Sequence, residues 1–246
     1  YVSKSQFGTS LTNVTFDLRQ GKILGIGGVA GNGQDELFAV LSGEQFSQHG
    51  SISFNGINIT KFNPNQRRKI GLLSAPEERL GHAAAPNMSL IENTLITAEN
   101  SQNLVSRGFI DWKKSKAFAE KVIKKFDVRT PGSQNTAGSL SGGNLQKFVI
   151  GREILQNPSV FIVNQPTWGV DAAAASSIRQ ALLTLSENGA AILVISQDLD
   201  ELLEISDQFA ALNGGALSRI EKTADLSIEQ IGLMMGGAKD LEVRNV

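Results

Sequence analysis

The chain has 246 residues, carries a formal net charge of −1 and contains no cysteine. Its balanced charge argues against a nucleic-acid partner, because binding phosphates over a wide footprint requires an excess of basic residues. The absence of cysteine excludes disulfide scaffolds and thiolate metal sites. Its apolar runs are far shorter than the ~18 residues of a membrane span, so we expect any membrane role to depend on a partner.

The N-terminal third of the sequence reads as strands. Residues 11–18 alternate between apolar and polar side chains, residues 22–27 are mostly apolar, and each segment predicts a strand. Asn55-Gly56 lies between two further short strand-like segments, and this dipeptide is a strong hairpin signal. The sequence therefore predicts antiparallel strands in this region.

Helical periodicity replaces the strand pattern in the middle of the chain. Residues 111–126 predict an amphipathic helix whose lysines face solvent. Beyond residue 160 strands and helices alternate, which favours an α/β fold with a parallel sheet covered by helices. The predicted strands are residues 160–163, 191–196 and 209–212, and the predicted helices are residues 174–185, 198–205 and 228–234.

A glycine-rich turn at residues 28–35 joins the second predicted strand to a helix. Gly28 and Gly33 occupy the two fixed glycine positions of a nucleotide-binding P-loop. That motif continues with Lys and Ser or Thr, whereas this chain has Gln34 and Asp35. The alternative interpretation is a strand-to-helix turn with no chemistry.

A second turn, residues 140–143, precedes an apolar helical segment and is called the signature turn below. Its sequence is Leu-Ser-Gly-Gly, in which Ser141 is a candidate N-cap and the glycines leave backbone N–H groups accessible. A helix N-terminus carries unpaired donors and about half a positive charge, so such an end can seat a phosphate. An ordinary capped helix is the alternative.

A third motif, residues 160–171, consists of a buried strand, two amides, Pro-Thr and a Gly-x-Asp turn. The amides are Asn164 and Gln165, and the turn ends at Asp171. A fourth, residues 195–199, ends the next strand. In this order and spacing, the four motifs resemble those of the ATP-binding subunit of ABC transporters.

The resemblance covers essentially the whole chain and extends to one subfamily. The chain looks like the second, C-terminal cassette of the tandem ATPases that serve bacterial importers of simple sugars and nucleosides. The residues that carry this narrower resemblance are 34–37, 76–79, 195–202 and 231–237, together with Asn144 after the signature glycines. The resemblance implies that the chain is one half of a protein about twice its length.

The implied fold is an ABC-type nucleotide-binding domain with a RecA-like parallel-sheet core. A single cassette would span residues 1–246. About residues 1–75 would form an antiparallel β subdomain with the P-loop, about 80–156 an inserted helical subdomain with the signature turn, and about 157–246 the Walker B core and C-terminal region.

By the same resemblance, ATP and Mg²⁺ are the cofactors, but this chain departs from the family at the positions that bind and hydrolyse them. The implied nucleotide-binding positions are Phe7, Gly28, Gly31, Gly33, Gln34, Asp35 and Glu36. Gln34 replaces the P-loop lysine, and a unit charge pair at about 4 Å is worth roughly 4 kcal/mol at an effective dielectric constant of about 20. We therefore expect weakened nucleotide binding at this site.

The catalytic positions are degenerate as well. Asn164 stands where the Walker B aspartate is expected, Gln165 where the catalytic glutamate is expected, and Gln197 where the switch histidine is expected. An amide cannot take a proton from attacking water as a carboxylate can. The sequence therefore predicts a weak or inactive ATPase when the chain is isolated.

Asp35 in the loop places a carboxylate where the family has a hydroxyl, and Asn164 on the strand places an amide where the family has a carboxylate. If both faced the metal position, Mg²⁺ would still meet a carboxylate oxygen, a ligand it accepts. One hypothesis is therefore a slow or static Mg–nucleotide site. The alternative is that Asp35 only caps the following helix.

The intact signature turn implies a role at a partner's site. Ser141, Gly142, Gly143 and Asn144 would complete the ATP site of a second cassette, expected to be the N-terminal half of the same polypeptide. Asp171 would bridge the two cassettes, and Glu77 would couple the site to an integral membrane permease. Phe7 is a candidate for adenine stacking, although core packing is the commoner fate of a phenylalanine.

These expectations describe half of a transport motor on the cytoplasmic face of the bacterial inner membrane. A periplasmic or lipoprotein solute-binding protein would act with it indirectly, and no nucleic acid would be involved. Two alternatives stay open, a non-transport ABC protein and a non-hydrolytic module that senses nucleotide.

Overall fold

The computed structural model describes residues 8–237, so the adenine-stacking candidate Phe7 lies outside the described residues. The strands are β1 Ile23–Gly27, β2 Ser53–Phe54, β3 Ile57–Asn58, β4 Leu72–Ala75, β5 Val105–Ser106, β6 Phe109–Ile110, β7 Val160–Asn164, β8 Ala191–Ser196, β9 Gln208–Asn213, β10 Ala216–Leu217 and β11 Glu221–Lys222. The α-helices are α1 Gln34–Ser42, α2 Pro64–Lys69, α3 Leu90–Ala98, α4 Trp112–Lys125, α5 Gly142–Ile154, α6 Ala172–Glu187, α7 Leu199–Ile205 and α8 Ile228–Met235.

Within residues 8–237, seven strands form one mixed sheet with the order β10-β9-β1-β8-β7-β4, and β11 also pairs with β9. The neighbours among β9, β1, β8, β7 and β4 are parallel, whereas β10 and β11 run antiparallel to β9. Every residue of β1 and β8 is buried. Burial on both faces explains why these strands are nearly continuous apolar runs, and the predicted α/β core is confirmed.

The prediction of a strand at residues 11–18 is wrong. Val14, Phe16 and Leu18 pack half-buried against the core, which accounts for the alternation, but the segment joins the sheet only through a bridge between Thr12 and Ala216. Alternation reports one-sided burial and does not supply a pairing partner. In the described chain, the hairpin at Asn55-Gly56 is formed as predicted, by β2 and β3.

The helical region between β4 and β7 is anchored to the core by buried charges on α5. Arg68 on α2 lies 2.7 Å from Glu153, and the neighbouring Arg152 donates to the carbonyls of Asn93 and Ala83 at 3.0 and 2.8 Å. Burial alone would raise the pKa of Glu153, but the two guanidinium groups outweigh it and hold that pKa below its ordinary value. These contacts hold the C-terminal part of α5 against Arg68, Ala83 and Asn93.

Candidate functional site

The carboxyl ends of β1, β7 and β8 meet at one edge of the sheet and bring the motif residues together. Because these strands are parallel neighbours, the loop after β1, the amides ending β7 and the residues after β8 share that edge. This is the part of an α/β sheet where ligands usually bind. Residues 35, 77, 142 and 164 line one cavity there, of about 780 Å³.

The loop between β1 and α1 depends on glycine. Gly31 and Gly33 adopt φ values of 82° and 110°, a left-handed conformation that glycine adopts without steric cost. A Cβ on Gly28 would lie only 2.5 Å from Nε2 of Gln34. The loop therefore has the backbone of a P-loop, with a side chain packed inside it.

That side chain is the amide of Gln34, which is only 6% exposed. Its Oε1 accepts a hydrogen bond from the backbone N–H of Asn32 at 3.1 Å, and its Nε2 donates to the carbonyl of Val29 at 2.9 Å. Asn32 is also held from outside, because its carbonyl accepts from the N–H of Gly215 and its Oδ1 from the N–H of Gly214. Neither contact could be predicted from the local sequence pattern.

Several carboxylates lie beside the loop between β1 and α1. Asp35 accepts a hydrogen bond from Nδ2 of Asn164 at 3.1 Å, and the buried Oδ1 of Asn164 has no partner among the described residues. The pKa of Glu77 is raised by burial and by the charge of Asp35, against the opposing effect of Arg79. Glu36 accepts from the N–H of Thr9 at 2.9 Å. Asp35 from the loop and Asn164 from the strand have thus come together, and the side chains around them are acidic.

Gln165, at the position expected for the catalytic glutamate, is turned towards the end of β8. It has a φ of 53°, is 4% exposed, and accepts from the N–H of Gln197 at 3.3 Å and the hydroxyl of Ser196 at 3.4 Å. The side chain of Gln197 is exposed. Ser196 also donates to Glu201 at 2.8 Å, and burial raises the pKa of that carboxyl. The position therefore holds a buried, hydrogen-bonded amide.

The signature turn is exposed. Ser141 has the backbone geometry of an N-cap, with φ −63° and ψ 153°, but its hydroxyl makes no cap hydrogen bond and accepts from Nδ2 of Asn144 at 2.8 Å. Asn144 is fixed in turn by the N–H of Arg129, which donates to its Oδ1 at 2.7 Å. The first N–H groups of a helix have no intrahelical acceptors, and α5 has no side-chain cap hydrogen bond at Ser141.

The contact between Arg79 and α5, the helix that follows the signature turn, was not predicted from the sequence. Nε of Arg79 donates to Oε1 of Gln146 at 2.9 Å, and Nε2 of the same glutamine donates to the carbonyl of Pro166 at 2.8 Å. A Cβ on Gly142 would lie 3.0 Å from a terminal nitrogen of Arg79. The segment that contains Glu77 is therefore joined to α5 and to the turn after β7.

Two residues of the turn after β7 lie beside the signature turn. Asp171 is exposed and caps α6, accepting from the N–H of Ala174 at 2.9 Å. That backbone hydrogen bond lowers the pKa of its carboxyl. Trp168 is 60% exposed and lines the same cavity as Gly142. Both side chains are available to a surface that approaches α5.

Comparison with known proteins agrees with this geometry. The family model described as "ABC transporter" matches residues 11–168. The chain also resembles solved cassettes in fold, including a nucleotide-free ATP-binding cassette from an ABC transporter, with a TM-score of 0.73, 22% identity, and coverage of 98% of this chain and 94% of that one. A dimeric cassette in a post-hydrolysis state bound to ADP and Pi gives a TM-score of 0.74 at 21% identity, with 91% and 94% covered. The fold and site thus define an ATP-binding cassette.

The curated relatives that the chain matches include several import ATP-binding proteins. The glucose import ATP-binding protein TsgD13 of Haloferax volcanii is 35% identical over 94% of this chain and 42% of its own length. The nucleoside import protein NupA of Lactococcus lactis is 34% identical, with 96% and 47% covered, and the arabinose import protein AraG of Vibrio parahaemolyticus is 38% identical, with 86% and 42% covered. The chain therefore spans about half the length of these relatives.

The chain belongs to the ABC transporter family, as the ATP-binding cassette, and it is homologous to the ATPases of sugar and nucleoside importers. No helix within residues 8–237 is long and apolar enough to cross a membrane.

Proposed function

We propose that this chain is the second cassette of a tandem importer ATPase, that its own nucleotide site does not hydrolyse ATP, and that its signature turn completes the ATP site of a partner cassette. The observation that carries the proposal is the contrast between an exposed, uncapped signature turn and a P-loop filled by its own glutamine. The solute would be a simple sugar or a nucleoside, as in the named relatives.

The residues around the P-loop do not fit a triphosphate in this structure. The loop has no lysine, Gln34 occupies one of the backbone donors that would face a phosphate, and Asp35 repels anions from the first turn of α1. Gln165 has no carboxylate to accept a proton from water. No catalytic step is therefore assigned to this site.

A magnesium ion fits the remaining residues better than a phosphate does. Asp35 would offer a carboxylate oxygen, and Asn164 has a buried amide oxygen without a partner. Within residues 8–237 no group of three or more His, Cys, Asp or Glu side chains is placed to hold a metal. Mg²⁺ commonly uses one or two carboxylates and completes its shell with water and phosphate. Asp35 and Asn164 alone therefore do not complete a magnesium site, and a bound nucleotide would have to supply the phosphate ligands.

The chemistry that this chain contributes is electrostatic. ATP held by the partner would supply the phosphoryl group. The N–H groups of Gly142 and Gly143, at the positive end of α5, are placed to stabilise negative charge on that group. Asn144 orients the hydroxyl of Ser141 beside them, and Asp171 would meet the partner across the closed interface.

Transmission to a permease would pass through residues 76–90. Glu77 lies at the end of this segment nearest Asp35, and Arg79 links it to α5 through Gln146. Ala83 is tied to α5 by Arg152. A permease that moved this segment would therefore move the signature turn. Such a cassette would work at the cytoplasmic face of the inner membrane.

The test compares ATP turnover by this chain alone with turnover by the protein that contains both cassettes. We expect turnover in the paired protein and almost none in the isolated chain, because the latter lacks the lysine and the catalytic glutamate. Restoring Gln34→Lys and Gln165→Glu in the isolated chain checks that it can dimerise and bind. Robust turnover by the unmodified isolated chain would contradict the proposal.

A further inference from the structure

The P-loop is occupied by its own first helical residue. In a glycine-rich loop before a helix, backbone N–H groups converge on the place where an anion binds. Here the N–H of Asn32 donates to Oε1 of Gln34 at 3.1 Å, as it could to a phosphate oxygen, and also to the carbonyl of Val29 at the longer distance of 3.3 Å. The other end of the amide donates to the carbonyl of Val29 at 2.9 Å. The side chain thus satisfies a donor and an acceptor of the loop at once.

The fit of this amide is close. Gln34 is 6% exposed, and a Cβ on Gly28 would approach its Nε2 to 2.5 Å and the backbone carbonyl of Leu212 to 2.6 Å, so glycine at this position leaves room for the amide. The loop is also restrained from outside, where the N–H groups of Gly214 and Gly215 donate to Asn32 at 2.8 and 2.9 Å. An entering phosphate would have to displace the amide, because the turn at residues 214–215 keeps Asn32 in place.

We infer that the site is self-occluded: Gln34 is an internal competitor for phosphate, and a nucleotide binds here only after its amide leaves the loop. The inference rests on the proposed function, because it explains why the chain's own nucleotide site does not hydrolyse ATP. Two causes of silence make different predictions. If the missing lysine charge were the only cause, a cation alone would restore binding, whereas self-occlusion predicts that removing the amide is sufficient to improve it.

The experiment measures ATP binding in the presence of Mg²⁺ to the whole 246-residue chain and two variants, Gln34→Ala and Gln34→Lys. We expect Gln34→Ala to bind ATP about tenfold more tightly than the wild type, because the loop hydrogen bonds no longer have to be broken. Gln34→Lys should bind more tightly still, since it also restores the charge. Gln180→Ala, which removes an exposed glutamine from α6, is the matched control and should bind like the wild type.

A second readout needs no nucleotide. The backbone amide hydrogen of Asn32 should exchange slowly in the wild type and in Gln180→Ala, and faster in Gln34→Ala, as followed by nuclear magnetic resonance. The inference is overturned if Gln34→Ala gives no measurable gain in ATP affinity, including the case in which only Gln34→Lys gains.

These results are separable from the proposed function. The partner role of the signature turn is judged by turnover of the paired protein, which does not depend on whether Gln34 occupies its loop. A gain in Gln34→Ala together with turnover that does not need Ser141 would leave self-occlusion standing and the partner role refuted. No gain in Gln34→Ala, together with turnover that depends on Ser141, would refute self-occlusion and leave the partner role standing.

Discussion

α1 and α5 both begin at the cavity lined by residues 35 and 142, and their first turns have opposite properties. α1 has two carboxylates in its first turn, and an amide fills the loop before it. α5 has no acidic residue in its first turn and begins with two glycines, with Arg79 beside Gly142 and the carboxylate of Asp171 beside Gly143. Both helix ends carry the same backbone dipole.

The difference shows that a helix N-terminus is only a potential anion site. At α1 the available charge is balanced by Asp35 and Glu36, and a donor is already used. At α5 Gly142 is exposed and Gly143 is half-buried, the turn itself contains no carboxylate, and the guanidinium of Arg79 is close enough to offset the charge of Asp171. The residues around each end, and not the helix itself, decide which of them can receive a phosphate.

The largest effect should come from obstructing the exposed end. Ser141→Arg places a bulky side chain over the signature turn, and we expect ATP turnover of the paired protein to fall by about a hundredfold or more, the scale of losing preorganised donors to a transition state. Ser176→Arg, at an exposed position on α6, should leave turnover unchanged. Unimpaired turnover in Ser141→Arg would remove the signature turn from the mechanism.

The next effect concerns the anchor of α5. Glu153→Gln leaves the buried Arg152 and the half-buried Arg68 beside a neutral amide, and we expect the free energy of unfolding to fall by about 3–5 kcal/mol, the typical cost of breaking a buried ion pair. Chemical denaturation of both proteins at neutral pH measures it. Glu120→Gln, which removes an exposed partner of Lys116 on α4, should change stability by less than about 1 kcal/mol.

The same anchor has a defined dependence on pH. The pKa of Glu153 in the folded protein lies below its ordinary value of 4.5. A carboxyl with a lowered folded pKa stabilises the protein above the unfolded pKa and loses that contribution as the pH falls through the folded pKa. The stability difference between wild type and Glu153→Gln should therefore shrink below pH 4.5. A difference that grew on acidification would contradict this assignment.

At the N-terminus of α1, a smaller effect distinguishes two roles of Asp35: a ligand of Mg²⁺, or a carboxylate that only caps the helix. If Asp35 and Asn164 hold Mg²⁺, adding Mg²⁺ should increase nucleotide affinity about tenfold, and Asp35→Asn should lose that increase. Asp17→Asn, a substitution at an exposed residue, is the control. Isothermal titration with and without Mg²⁺ measures the effect, and nucleotide binding that does not depend on magnesium would end the hypothesis.

The smallest effect concerns the side chain that orients Ser141. Asn144→Ala removes hydrogen bonds to the hydroxyl of Ser141 and to the N–H of Arg129, and we expect a loss of about 1 kcal/mol in stability. Turnover of the paired protein should fall only a few-fold, because the backbone donors remain. A loss of turnover as large as that of Ser141→Arg would instead make Asn144 a direct participant.

Local patterns predicted much of the fold and the positions of the motifs. The apolar runs of β7 and β8 and the dipeptide Asn55-Gly56 carry strong local signals, and each forms the predicted element. The glycines of residues 28–35 are a weak signal on their own, and they lie in the predicted turn between β1 and α1. The predicted strand at residues 11–18 failed because alternation records burial and not pairing. The partner roles of the signature turn and of Asp171 are still predictions.

Contacts between distant segments could not be predicted in this way. The direction of the Gln34 amide depends on the space left by Gly28, and the restraint on Asn32 comes from residues almost two hundred positions away. Arg79 reaches Gln146 across 67 positions. Sequence spacing identifies which residue types are present at the site, but side-chain direction is set by packing between segments.

The exposed indole of Trp168 provides an optical signal at the place where closure is proposed. The chain has two tryptophans, and the other, Trp112, is on α4 and is 53% exposed. With Trp112→Phe, emission from the chain would report on Trp168 alone. An approaching partner surface would displace water from that ring and shift its emission to shorter wavelength, so engagement of the signature turn could be timed without attaching a dye.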